Sequence, residues 1–382
     1  MRALWICGLP RAVQDEVFAG EDHGSQRAWS WVVAHLPPPR EVELHLACLW
    51  PGGDKRKTVE YQGAKIHLLP CPKRGRALLF FQQDTEYFRA LFDEIKPDLT
   101  HGWGTEDSFG LVARRLAPQR HIIGIQGLIH AYYNYLPRSY RRLIVHTTER
   151  MTLKKARYVI AESNYSLDCA ATLCPRAVKQ TIEHPLRRNF LDSQPSDGTA
   201  HTIIFVGSIE QRKGINDAIM AFSDVAAADW TLHVVGKGAR DSENQMYNLV
   251  RSTGIVRRFR HSRDLDTPGL VQAMRESSVF LLPTRIDTGP TALKEALTMG
   301  LWPVGYDNSG PSEYIRKYKF GSLAKNCDLD SLCRELQRCV TEMPWKDANK
   351  RTLLAGRTRN DFSREQAWEN LIEFYRMVDS AV

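Results

Sequence analysis

The chain has 382 residues, and at roughly 150 residues per domain that length suggests two domains. Apolar residues make up 43% and charged residues 25%, ordinary proportions for a globular chain, so disorder, collagen and coiled coil are excluded as the main architecture. The net charge of +8 favours acidic partners such as phosphates or anionic lipid without selecting among them. Eight cysteines with no C-x-x-C pair are too sparse for a disulfide framework in a chain this long, which points to a reduced, cytoplasmic setting.

No stretch approaches the ~18 uninterrupted apolar residues of a spanning helix, so membrane contact is expected to be peripheral. The opening residues 1–8 are too short for a signal h-region and read as a first core strand. From there, short apolar runs ending at Gly or Pro alternate with helix-period segments, the pattern of βαβ units around a parallel sheet. Strands are predicted at residues 4–7, 42–48, 66–69, 99–101, 122–125, 158–161 and 181–182, with helices near 25–36, 84–95, 108–116 and 138–155. Residues 191–201 are polar, contain Pro195 and Gly198, and are the best linker candidate. Beyond them, strands recur at 203–206, 232–235, 279–282 and 302–304. The tail, residues 362–382, reads as a helix with Trp368, Leu371, Ile372, Tyr375 and Val378 along one side. The expected fold class is therefore α/β: two Rossmann-like doubly wound domains, residues 1–195 and 196–361, facing a ligand cleft at the carboxyl ends of their strands.

The most informative stretch is residues 281–300. A strand ends at Pro283, a loop carries Asp287, Pro290 stands where a helix should begin, and Gly300 supplies the stop. The N–H groups of Thr291 and Ala292 would attract a phosphate. Glu295 lies roughly 7 Å further along the helix at 1.5 Å per residue, close to the separation of a diphosphate from its ribose. The opposing reading is a capping Asp287 and a solvated Glu295.

The spacing Asp287-x7-Glu295 resembles the Glu-x7-Glu signature of glycosyltransferase family 4, in the variant of bacterial polysaccharide and lipopolysaccharide glycosyltransferases. Thr100-His-Gly-Trp-Gly-Thr-Glu106, Ile123-Gly-Ile-Gln-Gly-Leu128 and Phe205-Val-Gly-Ser-Ile-Glu-Gln-Arg-Lys-Gly214 resemble three further segments of that family in the same order. The resemblance implies the GT-B fold, a nucleoside-diphosphate sugar as donor, transfer with retention, no cofactor or required metal, and a glycan or lipid-linked acceptor in cell-surface polysaccharide synthesis. By position it gives Arg212 and Lys213 to the diphosphate, Asp287 to the donor sugar and Glu295 to the ribose. Gly207, Ser208, Gly289, Pro290 and Thr291 would line the donor, with Gly24 and Ser25 approaching its phosphates. Two departures stand out: Ser208 replaces the usual loop arginine, and Asp287 is one methylene shorter than the usual Glu.

On the acceptor side, His101, Glu106 and Gln126 end first-domain strands, and His130 follows as a candidate base. Asp264-Leu-Asp266 and Asp328-Leu-Asp330 resemble the metal motif of the other glycosyltransferase fold but sit beside turn residues and read as surface loops. Arg138, Arg141, Arg142, Arg150, Lys154, Lys155 and Arg157 form a basic band, either a solvated helix or a contact for anionic lipid at the inner face of the membrane. Nucleic acid is not expected, since no groove-reading motif accompanies the charge. Two rivals share the fold: a nucleotide-sugar epimerase and a non-catalytic nucleotide-sugar-binding homologue. A nicotinamide dehydrogenase fits least, because the G-x-G-x-x-G fingerprint is absent.

Overall fold

A computed structural model of the chain describes residues 1–17, 29–50, 53–71, 75–136, 138–225 and 228–381. It divides into two units, one of Met1–Pro185 with Arg364–Val382 and one of Leu186–Ser363. Among the described residues the first unit has eight strands: β1 Arg2–Ile6, β2 Glu43–Trp50, β3 Lys57–Tyr61, β4 Ala64–Pro70, β5 Leu99–Trp103, β6 His121–Gly124, β7 Tyr158–Ala161 and β8 Val178–Thr181. They lie in the order β3-β4-β2-β1-β5-β6-β7-β8. Only β3 runs antiparallel to its neighbour.

Burial on both faces explains why β1 reads as an unbroken apolar run. Leu4 and Ile6 face a cluster with Phe88, Leu91 and Val112. Ala3 and Trp5 face the opposite cluster, which the terminal helix Arg364–Ser380 completes with Trp368, Leu371, Tyr375 and Val378. Tyr375 is fully buried, and its hydroxyl lies 2.8 Å from Trp5 Nε1 and 2.8 Å from His101 Nδ1. The indole N–H donates to the phenol oxygen, and the phenol and the imidazole share the second bond.

The second unit has six parallel strands among the described residues: β9 Thr202–Val206, β10 Thr231–Val235, β11 Phe259–Ser262, β12 Val279–Leu282, β13 Trp302–Tyr306 and β14 Ser322–Ala324. Their order is β11-β10-β9-β12-β13-β14. Strand order therefore reverses between β9 and β12, as it does between β1 and β5 in the first sheet. The carboxyl ends of those strands are where open parallel sheets bind ligands.

Strands β3, β11 and β14 lie outside the predicted set, and the predicted strand at 181–182 falls at β8. Helices Gln82–Ile95, Phe109–Leu116 and Tyr140–Lys154 lie where periodicity places them, whereas of the helix at 25–36 residues 25–28 lie outside the described residues and Ser30–Ala34 is helical. The division falls after Pro185 rather than after residue 195, because Leu186 and Phe190 belong to the second unit's core. The polar segment is anchored at its middle: Ser196 is buried, donates from Oγ to Ser277 O at 2.6 Å and from N to Met299 O at 2.9 Å. Among the described residues no helix is long and apolar enough to cross a membrane.

Replacing Tyr375 by Phe strands two buried ring nitrogens. Urea denaturation is expected to show a loss of about 1–3 kcal/mol, the cost of leaving buried polar groups unpaired.

Candidate active site

After β9 the chain passes through Gly207 and Ser208 into a short turn, Gln211–Lys213, and then the helix Ile215–Ser223. Gly214 joins turn to helix with φ +75°, and a Cβ there would lie 1.9 Å from Pro283 O. Only glycine lets the turn seat against the end of β12. The seat is fixed by Arg285 N and Thr284 Oγ1, which donate to Arg212 O at 2.9 and 3.1 Å. Arg285 is tied in turn to Asp217, which also accepts from the Tyr306 hydroxyl at 2.9 Å.

This docking brings the Lys213 ammonium onto Asp287 Oδ2. Asp287 is only 7% exposed, and its backbone is pinned by Ser309 Oγ at 3.1 Å and Gly310 N at 3.0 Å. Burial pushes its carboxyl up, but the Lys213 and Arg212 charges and hydrogen bonds from Lys213 and the Thr288 N–H outweigh that and hold it below the ordinary aspartate value. Arg212 points Nη1 at Ile286 O (3.1 Å) and Nη2 at Glu210 Oε1 (2.9 Å). Ser208, standing where the family's arginine is expected, donates to the same Glu210 oxygen at 2.7 Å.

The next helix, Thr291–Thr298, starts one residue later than the sequence suggests: Pro290 is its N-cap rather than its first helical residue. Pro290 has no side chain that can cap it, and the Thr291 and Ala292 N–H groups, in the first turn, have no intrahelical acceptor. Thr291 is exposed and Gly289 half-buried at this end. Glu295 is no solvated residue: it is 3% exposed, and Arg187 Nη2 lies 2.6 Å from its Oε1. Arg187, which lies in none of the motifs of fixed spacing, also donates from Nη1 to Thr267 Oγ1 at 2.5 Å.

In the first unit, His101 lies in the core rather than at a surface, stacked on Trp103 at 3.7 Å and bonded to Tyr375. Burial, with His184 and His35 nearby, drives its basicity well below the ordinary value. Glu106 accepts from the Tyr132 hydroxyl, Gln126 Nε2 lies 2.6 Å from His184 Nε2, and His130 stacks on His146 at 5.9 Å. Gly24 and Ser25 lie outside the described residues. Glu149, the single acid in the basic band, accepts from Thr105 Oγ1 and from the N–H groups of Ile129 and His130. Burial pushes its carboxyl up to about 7 against those donors. It thus holds the turn that presents His130.

Three of the four aspartates in the two Asp-Leu-Asp pairs have structural partners. Asp266 and Asp328 cap helices by accepting from Gly269 N and Ser331 N, and Asp264 pairs with Lys237 at 3.2 Å.

Lys213→Ala should leave Asp287 buried without its nearest cation, raising its folded pKa. A raised carboxyl pKa means stability present at low pH that is lost as pH climbs through the folded value. Chemical denaturation near neutral pH is expected to show a loss of about 1–3 kcal/mol, partly recovered in Lys213→Ala/Asp287→Asn, where no charge is stranded.

A family model described as Glycosyl transferases group 1 matches residues 187–352, and one described as Glycosyltransferase Family 4 matches residues 32–179. A soluble starch synthase 2-1 of Oryza sativa subsp. japonica is 24% identical over 232 residues, 56% of this chain; the match spans only 28% of that protein's length. Among solved structures, a sucrose-phosphate synthase from Thermosynechococcus elongatus superposes with a TM-score of 0.80 at 16% identity, covering 100% of both chains. Anabaena HepE in complex with UDP-glucose gives 0.73 at 13% identity, covering 99% of this chain and 100% of that one. WaaG, a glycosyltransferase involved in lipopolysaccharide biosynthesis, gives 0.66 at 13%, covering 97% and 99%. The fold is GT-B, and with one model laid over each unit the chain belongs to the group 1 and family 4 glycosyltransferases.

Proposed function

We propose that this glycosyltransferase moves a hexose, with retention, from a nucleoside-diphosphate sugar to a glycan or lipid-linked acceptor in cell-surface polysaccharide synthesis. The observation that carries the reading is the constellation beyond β9 and β12: Lys213 on buried Asp287, and buried Glu295 eight positions on, at the far end of an uncapped helix start. The HepE structures hold UDP, UDP with glucose and UDP-glucose, which makes a uridine diphosphate hexose the donor to test first.

In transfer, the acceptor hydroxyl oxygen bonds to the anomeric carbon as the bond from that carbon to the phosphate oxygen breaks. The electron pair leaves on the diphosphate, and the hydroxyl proton ends there too. Negative charge thus grows where Lys213, Arg212 and the first-turn N–H groups of Thr291 and Ala292 can meet it, the placement that lowers such a barrier most. Asp287, held ionised, accepts hydroxyls of the departing sugar. The chain itself supplies these cations, so we expect turnover to survive chelation by EDTA.

Lys213→Ala and Glu295→Ala are each expected to cut kcat/KM on the order of a hundredfold or more. NMR of the product should show the donor's anomeric configuration. Inversion would remove the retaining assignment, and near-normal turnover in both variants would remove the site. Donor conversion without acceptor would favour an epimerase, and binding with no turnover on any acceptor would favour a non-catalytic homologue.

For the acceptor side we propose docking of the first unit on anionic lipid at the cytoplasmic face of the membrane. On the helix Tyr140–Lys154, Tyr140 is 69% and Leu143 53% exposed, beside exposed Arg141, Arg150 and Lys154. Apolar tips among cations suit a headgroup boundary. The protein is expected to co-sediment with phosphatidylglycerol vesicles and not with phosphatidylcholine vesicles, and Tyr140→Ala/Arg141→Ala/Leu143→Ala should abolish it. Equal pelleting of that triple variant would overturn the assignment.

A further inference from the structure

We infer that Arg187 is a positioning residue of the donor site: it fixes the Glu295 carboxylate so that its remaining oxygen meets the ribose hydroxyls. This rests on the donor reading of Glu295 given above. Arg187 lies just past the start of the second unit, 108 positions from Glu295 in sequence, yet the fold joins them in a contact between side chains 13% and 4% exposed. The guanidinium is held on several sides: Nη1 on Thr267 Oγ1 at 2.5 Å, Nη2 on Glu295 Oε1 at 2.6 Å, and its carbon 5.1 Å from the centre of the Phe190 ring. So constrained, it cannot follow a wandering carboxylate; the carboxylate must come to it.

The pair is one-pronged. Arginine usually grips a carboxylate with two parallel bonds. Here only Oε1 is engaged, and Oε2 has no hydrogen bond among the described residues. A carboxylate offers about four acceptor directions, so one anchored oxygen leaves the other for two vicinal hydroxyls. Anchoring in advance removes the ordering cost that a free glutamate would meet on binding, which strengthens binding without a new contact to the ligand. A purely structural pair would behave differently, because its loss would weaken every ligand of the second unit alike.

The test is titration calorimetry on the full chain with UDP and with 2′,3′-dideoxy-UDP, for wild type, Arg187→Gln, Arg187→Lys and Thr267→Val. Wild type is expected to bind the dideoxy compound about tenfold or more weakly, and Arg187→Gln to weaken UDP by about tenfold while leaving the dideoxy compound unchanged. Arg187→Lys should recover part of the loss, and the donor KM should rise more than kcat falls. Thr267→Val loosens the guanidinium without stranding a buried charge and should give the same ligand-dependent pattern, smaller in size. It serves if Arg187→Gln does not fold. Should the variants discriminate between the two ligands as wild type does, the inference about Arg187 is overturned while Glu295 keeps its role. Should wild type bind both ligands equally, the reading of Glu295 fails instead.

Discussion

Two carboxylates in the second unit lie almost out of reach of water, and each has a cation against it: Asp287 with Lys213, Glu295 with Arg187. At 2.6 Å and an effective dielectric of about 20, the attraction in the second pair is roughly 6 kcal/mol, while removing each ion from water costs several. Such terms nearly cancel, and an apolar pair of the same shape would hold the fold about as well. The surrounding architecture makes sense as the means of keeping these charges where they are. Gly214 lets the lysine turn press on β12, Arg285 and Asp217 brace the loop, and Ser309 and Gly310 hold the aspartate backbone.

Topology decides where this happens. A parallel sheet sends its connections outward on both sides of one gap, and the loops bordering that gap have no helix packed over them. In the second unit the gap lies between β9 and β12, whose following loops carry Lys213 and Asp287. In the first unit it lies between β1 and β5, and the loop after β5 carries Glu106. The same strands are buried on both faces, so the chemistry stands on the least deformable part of each sheet.

Much of this was legible before any coordinates. Strands such as β7 and β12 are apolar throughout, and their pattern has one reading. Edge strands are another matter: in β3 the sequence Lys-Thr-Val-Glu-Tyr is largely exposed, β11 is mostly polar, and β14 has three residues. Polar composition likewise misled at the middle of residues 191–201, where the Ser196 hydroxyl donates to Ser277 O and Gly198 O accepts from Trp345 Nε1. In the site, Lys213, Asp287 and Glu295 could be found because they lie within motifs of fixed spacing. Arg187 could not, since its partner is distant in sequence and no spacing links them. Glu149 left one faint mark, an acid alone among seven cations, which solvation does not explain. His101 shows the converse: a polar residue at a strand end reads as a ligand-facing group, yet Trp5, Trp103 and Tyr375 enclose it.

The terminal helix has a consequence for how the molecule is made. The second unit is one uninterrupted stretch, Leu186–Ser363, so a ribosome delivers everything it requires in a single run. The first unit begins to emerge earlier but lacks Trp368, Leu371, Tyr375 and Val378, and with them the cover over Trp5 and the partner of His101. During synthesis the older half therefore lacks part of the cover on one side of its sheet until the younger half has been delivered. That interval is when the nascent chain is most open to capture by chaperones or to clumping.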